Sequence, residues 1–259
     1  MAISELEWRF IPEESRAGAM NMALDEIAAE TVTTENLCTV RIYTWDPSTF
    51  SLGYNQDNKT IDWEFCRNND IPIVRRPTGG GGIFHDTYGD ISYSIIGPAE
   101  HFPGDLMDCY HLLCRPIIAA FHNMGIQVDY VASQAPSLFS PACYLRELHP
   151  AHDLVANGKK ISGNAQYRQR SAVIQHGSIS YSLDPETHLG VFNNHSVTEQ
   201  EFTNRVTAID EEIDISREKA IAYLEDSLRS FTDATEGEWT DEELTAAQNR
   251  AEEKYQSQT

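Results

Sequence analysis

The chain has 259 residues, of which 41% are hydrophobic, a size and composition typical of one large globular domain with or without a small appendage. No apolar run approaches the roughly 20 residues of a membrane helix, and no basic start followed by an apolar core indicates a signal peptide. We therefore expect a cytoplasmic protein without a membrane partner. The net charge of −21 disfavours nucleic-acid binding, because no basic stripe is present to neutralise phosphates.

The acidic surplus has two interpretations. Asp and Glu total 40 against 19 for Lys and Arg, the pI is about 4.6, and five of the basic residues are lysines. A carboxylate-rich surface stays soluble in concentrated salt, where screening shortens its self-repulsion, so we expect a halophilic protein. An acidic protein of an ordinary cytosol is the alternative.

Periodicity predicts alternating helices and strands along the first 215 residues. The predicted helices cover residues 15–31, 60–69 and 105–124, and Pro116 is expected to kink the last of them. The predicted strands cover residues 38–45, 50–56, 70–74, 91–96, 126–131 and 172–181. The pair Asn157-Gly158 suits a two-residue type I′ turn and predicts a hairpin over residues 152–162.

The end of the chain changes character. Residues 216–232 show helical periodicity with Ser216 as the cap, whereas residues 239–256 are polar and acidic, with Trp239 and Leu244 as their main apolar anchors. We predict a domain over residues 1–215 and a small helical appendage over residues 216–259 with a fraying end. The appendage is expected to contribute stability or a docking surface, and no chemistry.

Cysteine and histidine spacing predicts neither a disulfide framework nor a metal site. The five cysteines are odd in number and scattered, which favours reduced thiols. His149 and His152 lie three residues apart without a third ligand close by in the sequence, so we interpret them as structural residues and not as zinc ligands.

The segment from Arg75 to Asp86 carries the clearest signal for chemistry. Four consecutive glycines, at positions 79–82, follow Arg75 and Arg76. Glycines supply no side chain for packing and cost backbone entropy, but they let the backbone approach a ligand and point N–H groups at anionic oxygens. The arginines add planar donor forks that suit carboxylate or phosphate. We expect an anionic-ligand site here, with a glycine-rich hairpin loop and incidental arginines as the alternative.

A second informative segment follows the predicted hairpin turn. Two of the five lysines, Lys159 and Lys160, stand there beside the small residues Ser162 and Gly163. A lysine among small residues suits contact with a phosphate or a polarised carbonyl. A solvated hairpin lysine is the alternative, and it fits Lys159 better than Lys160.

Three motifs, in order along the chain, resemble the lipoate–protein ligase A family, which includes octanoyltransferases and shares its catalytic fold with biotin–protein ligases. They are Arg75-Arg76-x-x-Gly79-Gly80-Gly81-Gly82-Ile83-Phe84-His85-Asp86, Lys160-Ile161-Ser162-Gly163-Asn164-Ala165-Gln166 and Gln175-His176-Gly177-Ser178. The resemblance spans roughly residues 15–215. It implies an α+β fold with mixed, largely antiparallel sheets packed with helices.

The resemblance also implies an activity and partners. Members of this family attach lipoyl or octanoyl groups to one lysine of lipoyl domains, so the expected partners are lipoyl domains of 2-oxoacid dehydrogenase complexes and the glycine cleavage H protein. The family includes short ligases that rely on a separate accessory polypeptide. Since little chain follows residue 215, such an accessory chain is a further expected partner.

Site residues are carried over from the motifs. The resemblance implies that Lys160 contacts the acyl carbonyl and the phosphate, and that the apolar strands line a tunnel for the acyl chain. The positions implied to bind substrate or ATP are Arg75, Arg76, Gly80, Gly81, Gly82, Ile83, Phe84, His85, Gly163, Gln166 and His176.

Cys143 stands where octanoyltransferases of this superfamily carry their nucleophile. A cysteine accepts an acyl group as a thioester when nearby positive charge favours its thiolate, and Lys160 and His85 are the candidate sources of that charge. A small buried filler is the alternative reading of Cys143.

Three functions follow from these residues. ATP- and Mg²⁺-dependent ligation of lipoate or octanoate through an acyl-adenylate is favoured narrowly, because the third glycine and Phe84 resemble the adenylate loop of the ligases. Transfer from an octanoyl carrier protein through a Cys143 thioester is the alternative. A non-catalytic binder of lipoate or lipoyl domains is disfavoured by Lys160, since a binder gains nothing from a lysine at the carbonyl.

Overall fold

The computed structural model describes residues 3–131, 136–149, 152–168 and 171–256. Its strands are β1 (Glu7–Arg16), β2 (Leu37–Trp45), β3 (Thr49–Leu52), β4 (Ile73–Arg75), β5 (Ile83–His85), β6 (Asp90–Pro98), β7 (Val128–Tyr130), β8 (Asp153–Ala156), β9 (Lys159–Arg168), β10 (Ala172–Ser180) and β11 (Thr235–Glu236). Its helices are α1 (Gly18–Glu35), α2 (Trp63–Asn68), α3 (Leu106–Leu113), α4 (Arg115–Met124), α5 (Pro185–Gly190), α6 (Glu199–Arg205), α7 (Ile209–Glu212), α8 (Arg217–Thr232) and α9 (Asp241–Lys254). In the part of the chain that is described, no helix is long and apolar enough to cross a membrane.

The strands form two sheets. The large sheet has the order β11-β1-β2-β6-β10-β9-β8-β7, and the small one the order β4-β3-β5. The pairs from β2 through to β7 are antiparallel, whereas β1 pairs parallel with both β2 and β11. The predicted α+β fold with mixed, largely antiparallel sheets is confirmed.

The two faces of the large sheet have different covers. On one face the main core packs strand residues such as Val40, Tyr93 and Ile161 against α3, α4 and α8. The opposite face carries α1 with α9, and a third cluster around Phe50 joins the small sheet to α5 and α6. The gap between the small sheet and this second face of the large sheet holds the cavity described below.

Several elements depart from the sequence-based expectation. β1, β5 and β11 are absent from the predicted strands. β1 was not predicted because its period-two pattern is interrupted between Ile11 and Glu14, where its pairing with β2 is irregular. Residues 105–124 form two helices where one kinked helix was expected. α3 ends at Leu113, and Pro116 sits in the first turn of α4, where a missing N–H costs nothing.

The hairpin around Lys160 is confirmed. Asn157 and Gly158 both have positive φ, 50° and 78°, as a type I′ turn requires. The pairing of β8 with β9 then shifts, because Leu154 opposes Ser162 while Val155 opposes Lys160. Ile161 is therefore the extra residue of a β-bulge, a feature that re-aims neighbouring side chains. Ile161 enters the core, and Lys160 reaches the cavity.

The chain after residue 215 packs on both faces of the sheet. α8 starts at the predicted cap Ser216 and joins the main core. α9 lies on α1, and its Arg250 and Lys254 form ion pairs with the buried Glu26. The expected fraying end is not observed as far as Tyr255, which is buried. The division of the chain at residue 215 stays a prediction.

Candidate active site

A cavity of about 290 Å³ crosses the second face of the large sheet. Its walls include side chains from β2 (Trp45), β6 (Ser92), β10 (His176), β9 (Lys160) and β8 (Asp153). Neighbouring strands lie about 4.8 Å apart, so three steps from β9 to β2 correspond to about 14 Å. The cavity, called the groove below, thus extends across these strands, with Lys160 on β9 and Trp45 on β2.

Lys160 is buried, with 2% of its side chain exposed. Its Nζ lies 2.8 Å from Asp153 Oδ1, 3.0 Å from the carbonyl oxygen of Cys143 and 3.6 Å from Cys143 Sγ. Burial alone would lower the pKa of Lys160, but attraction to Asp153 and then to Cys143 outweighs it, and the pKa is raised. Burial likewise opposes ionisation of Asp153, yet Lys160 holds the pKa of that carboxyl well below its usual range. The pair is therefore ionised at neutral pH.

Cys143 reaches the cavity from a loop that is bonded to the glycine segment. The N–H of Gly82 donates to Pro141 O at 2.7 Å, and the N–H of Cys143 donates to Gly82 O at 2.8 Å. A Cβ on Gly81 would lie 2.7 Å from Pro141 O, so only glycine permits this approach. The cysteine is half-buried, whereas the other four cysteines are fully buried. Its thiol is the accessible one.

Gly163 lies next to the Cys143 thiol. A Cβ on Gly163 would lie 3.2 Å from Cys143 Sγ and 3.2 Å from Lys160 Cε. The sulfur and the lysine therefore meet over a residue without a side chain. Gly163 therefore lies at the site, as predicted, and its lack of a side chain lets Cys143 and Lys160 approach each other.

Arg76 does not present free donors to a ligand. Its Nε donates to Thr78 Oγ1, its Nη1 to the carbonyl and hydroxyl oxygens of Ser51, and its Nη2 to the carbonyls of Gly79 and Gly81. These contacts use the five N–H groups of a guanidinium. Burial lowers the pKa of Arg76 to about 10, which still leaves it charged at neutral pH. Arg76 fastens the glycine loop through these contacts, and its contact with an anionic ligand stays a prediction.

His85 is held by neighbours and does not supply charge to Cys143. Its ring stacks on Trp45 at 3.9 Å, its Nε2 lies 2.8 Å from Ser51 Oγ, and its Nδ1 lies 3.1 Å from Asp90 Oδ2. Burial lowers the pKa of His85 despite the opposing effect of Asp90, so the ring is neutral at pH 7. Of the two predicted sources of positive charge, Lys160 is the one that the structure places at the thiol.

His176 belongs to a buried relay of polar side chains. Its Nδ1 lies 3.1 Å from Asp25 Oδ2 and its Nε2 lies 2.7 Å from Thr78 Oγ1. Asp25 in turn pairs with Arg41 at 3.0 Å. Burial opposes ionisation of Asp25, but Arg41 and His176 outweigh it and lower its pKa. Through Thr78, this relay supports Arg76 and hence the glycine loop.

Several polar groups that line the middle of the groove are satisfied by neighbouring side chains. Ser92 Oγ donates to Asp90 Oδ1 at 2.6 Å and accepts from Trp45 Nε1 at 3.0 Å, and Ser178 donates to the other oxygen of Asp90. Asn164 accepts from Tyr93 OH at 2.7 Å. Because these groups already have partners, an apolar chain can occupy the groove without leaving them unsatisfied.

Four of the predicted binding residues lie outside the cavity wall. Arg75 turns away and donates to the carbonyls of Gly53, Tyr54 and Gln56 and to Asn58. The remaining three have structural contacts. Gly82 packs on the Phe50 ring, Phe84 belongs to the core cluster of the small sheet, and Gln166 bonds to Gln175. Arg76, Gly80, Gly81, Ile83, His85, Cys143, Lys160, Gly163 and His176 do line the cavity.

Sequence reasoning assigned no role to Asp25, Asp90 or Asp153, although each is buried beside the cavity. Asp153 carried a usable signal, since it is a carboxylate within the hairpin strand opposite the lysines. His149 and His152 stack with ring centroids 4.7 Å apart. Among the residues that the structure describes, no group of three or more potential ligands is arranged for a metal ion.

Comparison with known proteins adds relatives to this geometry. Residues 17–229 match the family described as lipoyl protein ligase A/B catalytic domain. The octanoyltransferases LipM of Brevibacillus brevis and Bacillus subtilis are 30% and 32% identical to the chain, with 96% of this chain and 96% of each relative covered. A solved lipoate-protein ligase A bound with ATP is similar with a TM-score of 0.80 at 20% identity, covering 96% of this chain and 95% of that one. At that identity the structural likeness establishes the fold alone.

Proposed function

Because the chain belongs to the lipoyl protein ligase A/B catalytic-domain family, we propose that it is an octanoyltransferase that uses Cys143 as its nucleophile. The observation that best supports this proposal is the position of the half-buried Cys143, whose Sγ lies 3.6 Å from the charged Nζ of Lys160 in the groove. The donor is an octanoyl thioester on a carrier protein, and the acceptor is a lysine ε-amine of a lipoyl domain. The proposed reaction belongs to the cytoplasm, where both substrates would be found.

The groove fits the acyl chain in length. A peptide backbone advances about 3.6 Å for every three bonds when extended, so the seven C–C bonds of an octanoyl group span about 8 Å. With its carbonyl at Cys143, the chain would run towards Trp45 on β2, within the roughly 14 Å between β9 and β2. Burying the methylenes at about 0.8 kcal/mol each contributes several kcal/mol to binding.

The chemistry has two half-reactions. The Cys143 thiolate attacks the carbonyl of the donor thioester, the bond to the carrier's sulfur breaks, and the carrier leaves as a thiolate that takes a proton from solvent. The octanoyl group is then a thioester on Cys143. A neutral lysine amine attacks this carbonyl, an amide forms, the amine loses a proton to solvent, and Cys143 returns as a thiolate. In both steps the Lys160 N–H that makes the long 3.6 Å contact with Cys143 Sγ turns to the oxygen that becomes negative and stabilises it.

This proposal differs from the ATP-dependent ligation that the glycine motif favoured. Two observations support the change: the relatives at 30% and 32% identity are named octanoyltransferases, and the five donors of Arg76 are occupied by the protein. No ATP or Mg²⁺ is required by the proposed route. Lipoyl domains of 2-oxoacid dehydrogenase complexes and the glycine cleavage H protein are the proposed acceptors.

The test supplies octanoyl carrier protein in one mixture, and ATP, Mg²⁺ and free lipoate or octanoate in another. Octanoyl carrier protein with apo lipoyl domain should give an octanoyl mass increment on the lipoyl domain and, in the absence of acceptor, on Cys143. Cys143→Ser should abolish both increments, while Ser140→Ala, an exposed hydroxyl in the same loop, should leave them unchanged.

The competing outcomes are equally concrete. If the increment appears only with ATP, Mg²⁺ and free lipoate or octanoate, and survives Cys143→Ser, the protein is a ligase. If none of these mixtures modifies the lipoyl domain while lipoate or the lipoyl domain still binds, the protein is a non-catalytic binder.

A further inference from the structure

The three N–H groups of the Lys160 ammonium each face a specific acceptor. One points to the Asp153 carboxylate at 2.8 Å, one to the Cys143 carbonyl at 3.0 Å, and one to Cys143 Sγ at 3.6 Å. Asp153 is itself fixed, because the backbone N–H of His149 donates to its Oδ2 at 2.9 Å. The Asp153 carboxylate thus joins β8 to the segment that follows Cys143 and holds the Lys160 ammonium beside the sulfur.

The negative charge beside Lys160 changes during the proposed cycle. Before acylation, both a Cys143 thiolate and Asp153 can balance the ammonium. After acylation the sulfur belongs to a neutral thioester, and Asp153 is the remaining carboxylate paired with Lys160. A lysine that is 2% exposed and lacks a counter-charge releases its proton readily, because burial disfavours the charged form.

From this geometry we infer that Asp153 is a positioning residue that keeps Lys160 protonated through the acyl-enzyme stage, so that Lys160 serves the second half-reaction as a cationic donor and not as a base. The inference rests on the proposed function and names the charge state at that same site. The raised pKa of Lys160, for which Asp153 is the largest favourable cause, agrees with it.

The other groups around Lys160 leave Asp153 as its carboxylate partner. His152 Nδ1 lies 3.3 Å from Asp153 Oδ1, the same oxygen that Lys160 contacts, and the Tyr144 ring faces Nζ at 5.4 Å. Burial raises the pKa of Tyr144 above the working range, so it stays neutral. From the end of α6, the positive Arg205 is electrostatically coupled to Asp153. In the described residues, the salt bridge of Lys160 is the one to Asp153.

The experiment follows the second half-reaction alone. Cys143 is loaded with octanoate from an activated p-nitrophenyl ester, an amine acceptor is added, and the decay of the acyl-enzyme is followed by intact mass from about pH 5.5 to about pH 9.5. Dividing the rate of Asp153→Asn by that of the wild type cancels the titration of the amine. Because the loading needs no carrier protein, a failure of the proposed donor and a failure of this inference are distinguishable.

The sign of the pH dependence separates the two roles of Lys160. In Asp153→Asn, Lys160 loses its proton at a lower pH than in the wild type. If Lys160 acts as a cationic donor, the variant-to-wild-type rate ratio should therefore fall by about 10- to 100-fold as pH rises. As a base, Lys160 would be freed by the substitution, and the ratio would exceed one and climb. A climbing ratio, or one that stays at one, overturns the inference. Asp153→Glu should restore most of the rate, and the exposed Asp129→Asn on β7 should match the wild type.

If the rate ratio is low at every pH, a spectroscopic measurement of the charge on Lys160 distinguishes the two roles. With five lysines, ¹⁵Nζ labelling gives few signals, and Lys160→Arg assigns the relevant one. An amine signal for Lys160 in the Asp153→Asn acyl-enzyme supports the inference, and an ammonium signal there overturns it. If Asp153→Asn does not fold, the wild-type acyl-enzyme decides alone: its ammonium should persist to about pH 9.5, and its loss at a lower pH contradicts the inference.

Discussion

Buried carboxylates around the groove are each matched by a cationic or imidazole partner at short distance. Asp25 pairs with Arg41 at 3.0 Å, and Asp153 pairs with Lys160 at 2.8 Å. A buried ion pair adds little net stability, but removing one member is costly because the other charge is left in a low-dielectric site. Individual substitutions here therefore affect chemistry and folding together, and experiments must measure both.

Lys160→Ala should lower the rate of octanoyl transfer by about 10²- to 10³-fold, because the donor that stabilises the developing oxyanion is lost. It should also reduce stability, since Asp153 would remain buried without its partner. Transfer rate and thermal unfolding are measured on the same preparations. The neighbouring Lys159→Ala should change neither appreciably, and equal rate losses for the two variants would mean that the wrong lysine has been assigned.

Asp25→Asn should destabilise the protein in a pH-dependent way. The pKa of Asp25 is lowered in the folded state, so its contribution is present above the unfolded pKa of about 4 and is lost as pH falls through the folded pKa. We expect a loss of about 3–5 kcal/mol at pH 7 that shrinks below about pH 4, measured by urea unfolding. The exposed Asp226→Asn serves as control. A difference that stays constant with pH would contradict the assignment.

At the scale of elements, the glycine segment and the Cys143 loop behave as one unit. Arg76 holds the carbonyls of Gly79 and Gly81, and the backbone of Gly82 pairs with Pro141 and Cys143. The close approach that four glycines allow is made to another part of the chain. The Cys143 thiol is thereby positioned by backbone hydrogen bonds, which are less sensitive to side-chain motion.

Helix α9 stabilises the domain without touching the groove. Glu243 makes a two-pronged contact with Arg9, at 2.5 and 2.7 Å, and both side chains are about nine-tenths buried. Glu243→Gln keeps the capping box of α9 but removes the charge, so it should cost about 3 kcal/mol in thermal unfolding while octanoyl transfer at low temperature is unchanged. The exposed Glu242→Gln is the matched control. A loss of activity without a loss of stability would refute this role.

For the whole molecule, the net charge of −21 sets the response to salt. Repulsion among surface carboxylates weakens as the Debye length falls from about 10 Å at 0.1 M to about 3 Å at 1 M. The melting temperature should therefore rise by several degrees as KCl is raised to molar concentration. The rise should shrink near the pI of about 4.6, where the net charge vanishes. A flat or falling melting temperature would leave the ordinary acidic protein as the better interpretation.

The sequence by itself determined the parts that depend on local preference. Asn157-Gly158 produces a type I′ turn because both residues tolerate positive φ, and Ser216 starts α8 because its hydroxyl accepts from Lys219 N. Strands and helices with unbroken periodicity were predicted to within a few residues. The order of the three motifs was sufficient for the family.

Tertiary structure alone decided what the motif residues contact. Arg76 and Arg75 are identical in type and adjacent, yet one fastens the glycine loop beside the groove and the other turns away to Gly53 and its neighbours, because they lie on opposite sides of the chain. Lys160 meets Cys143 only because the bulge at Ile161 re-aims it and Gly163 leaves room. Asp153 becomes the partner of Lys160 because the two side chains are buried in contact. Burial, register and charge neighbours arise from contacts between distant segments, which no local pattern encodes.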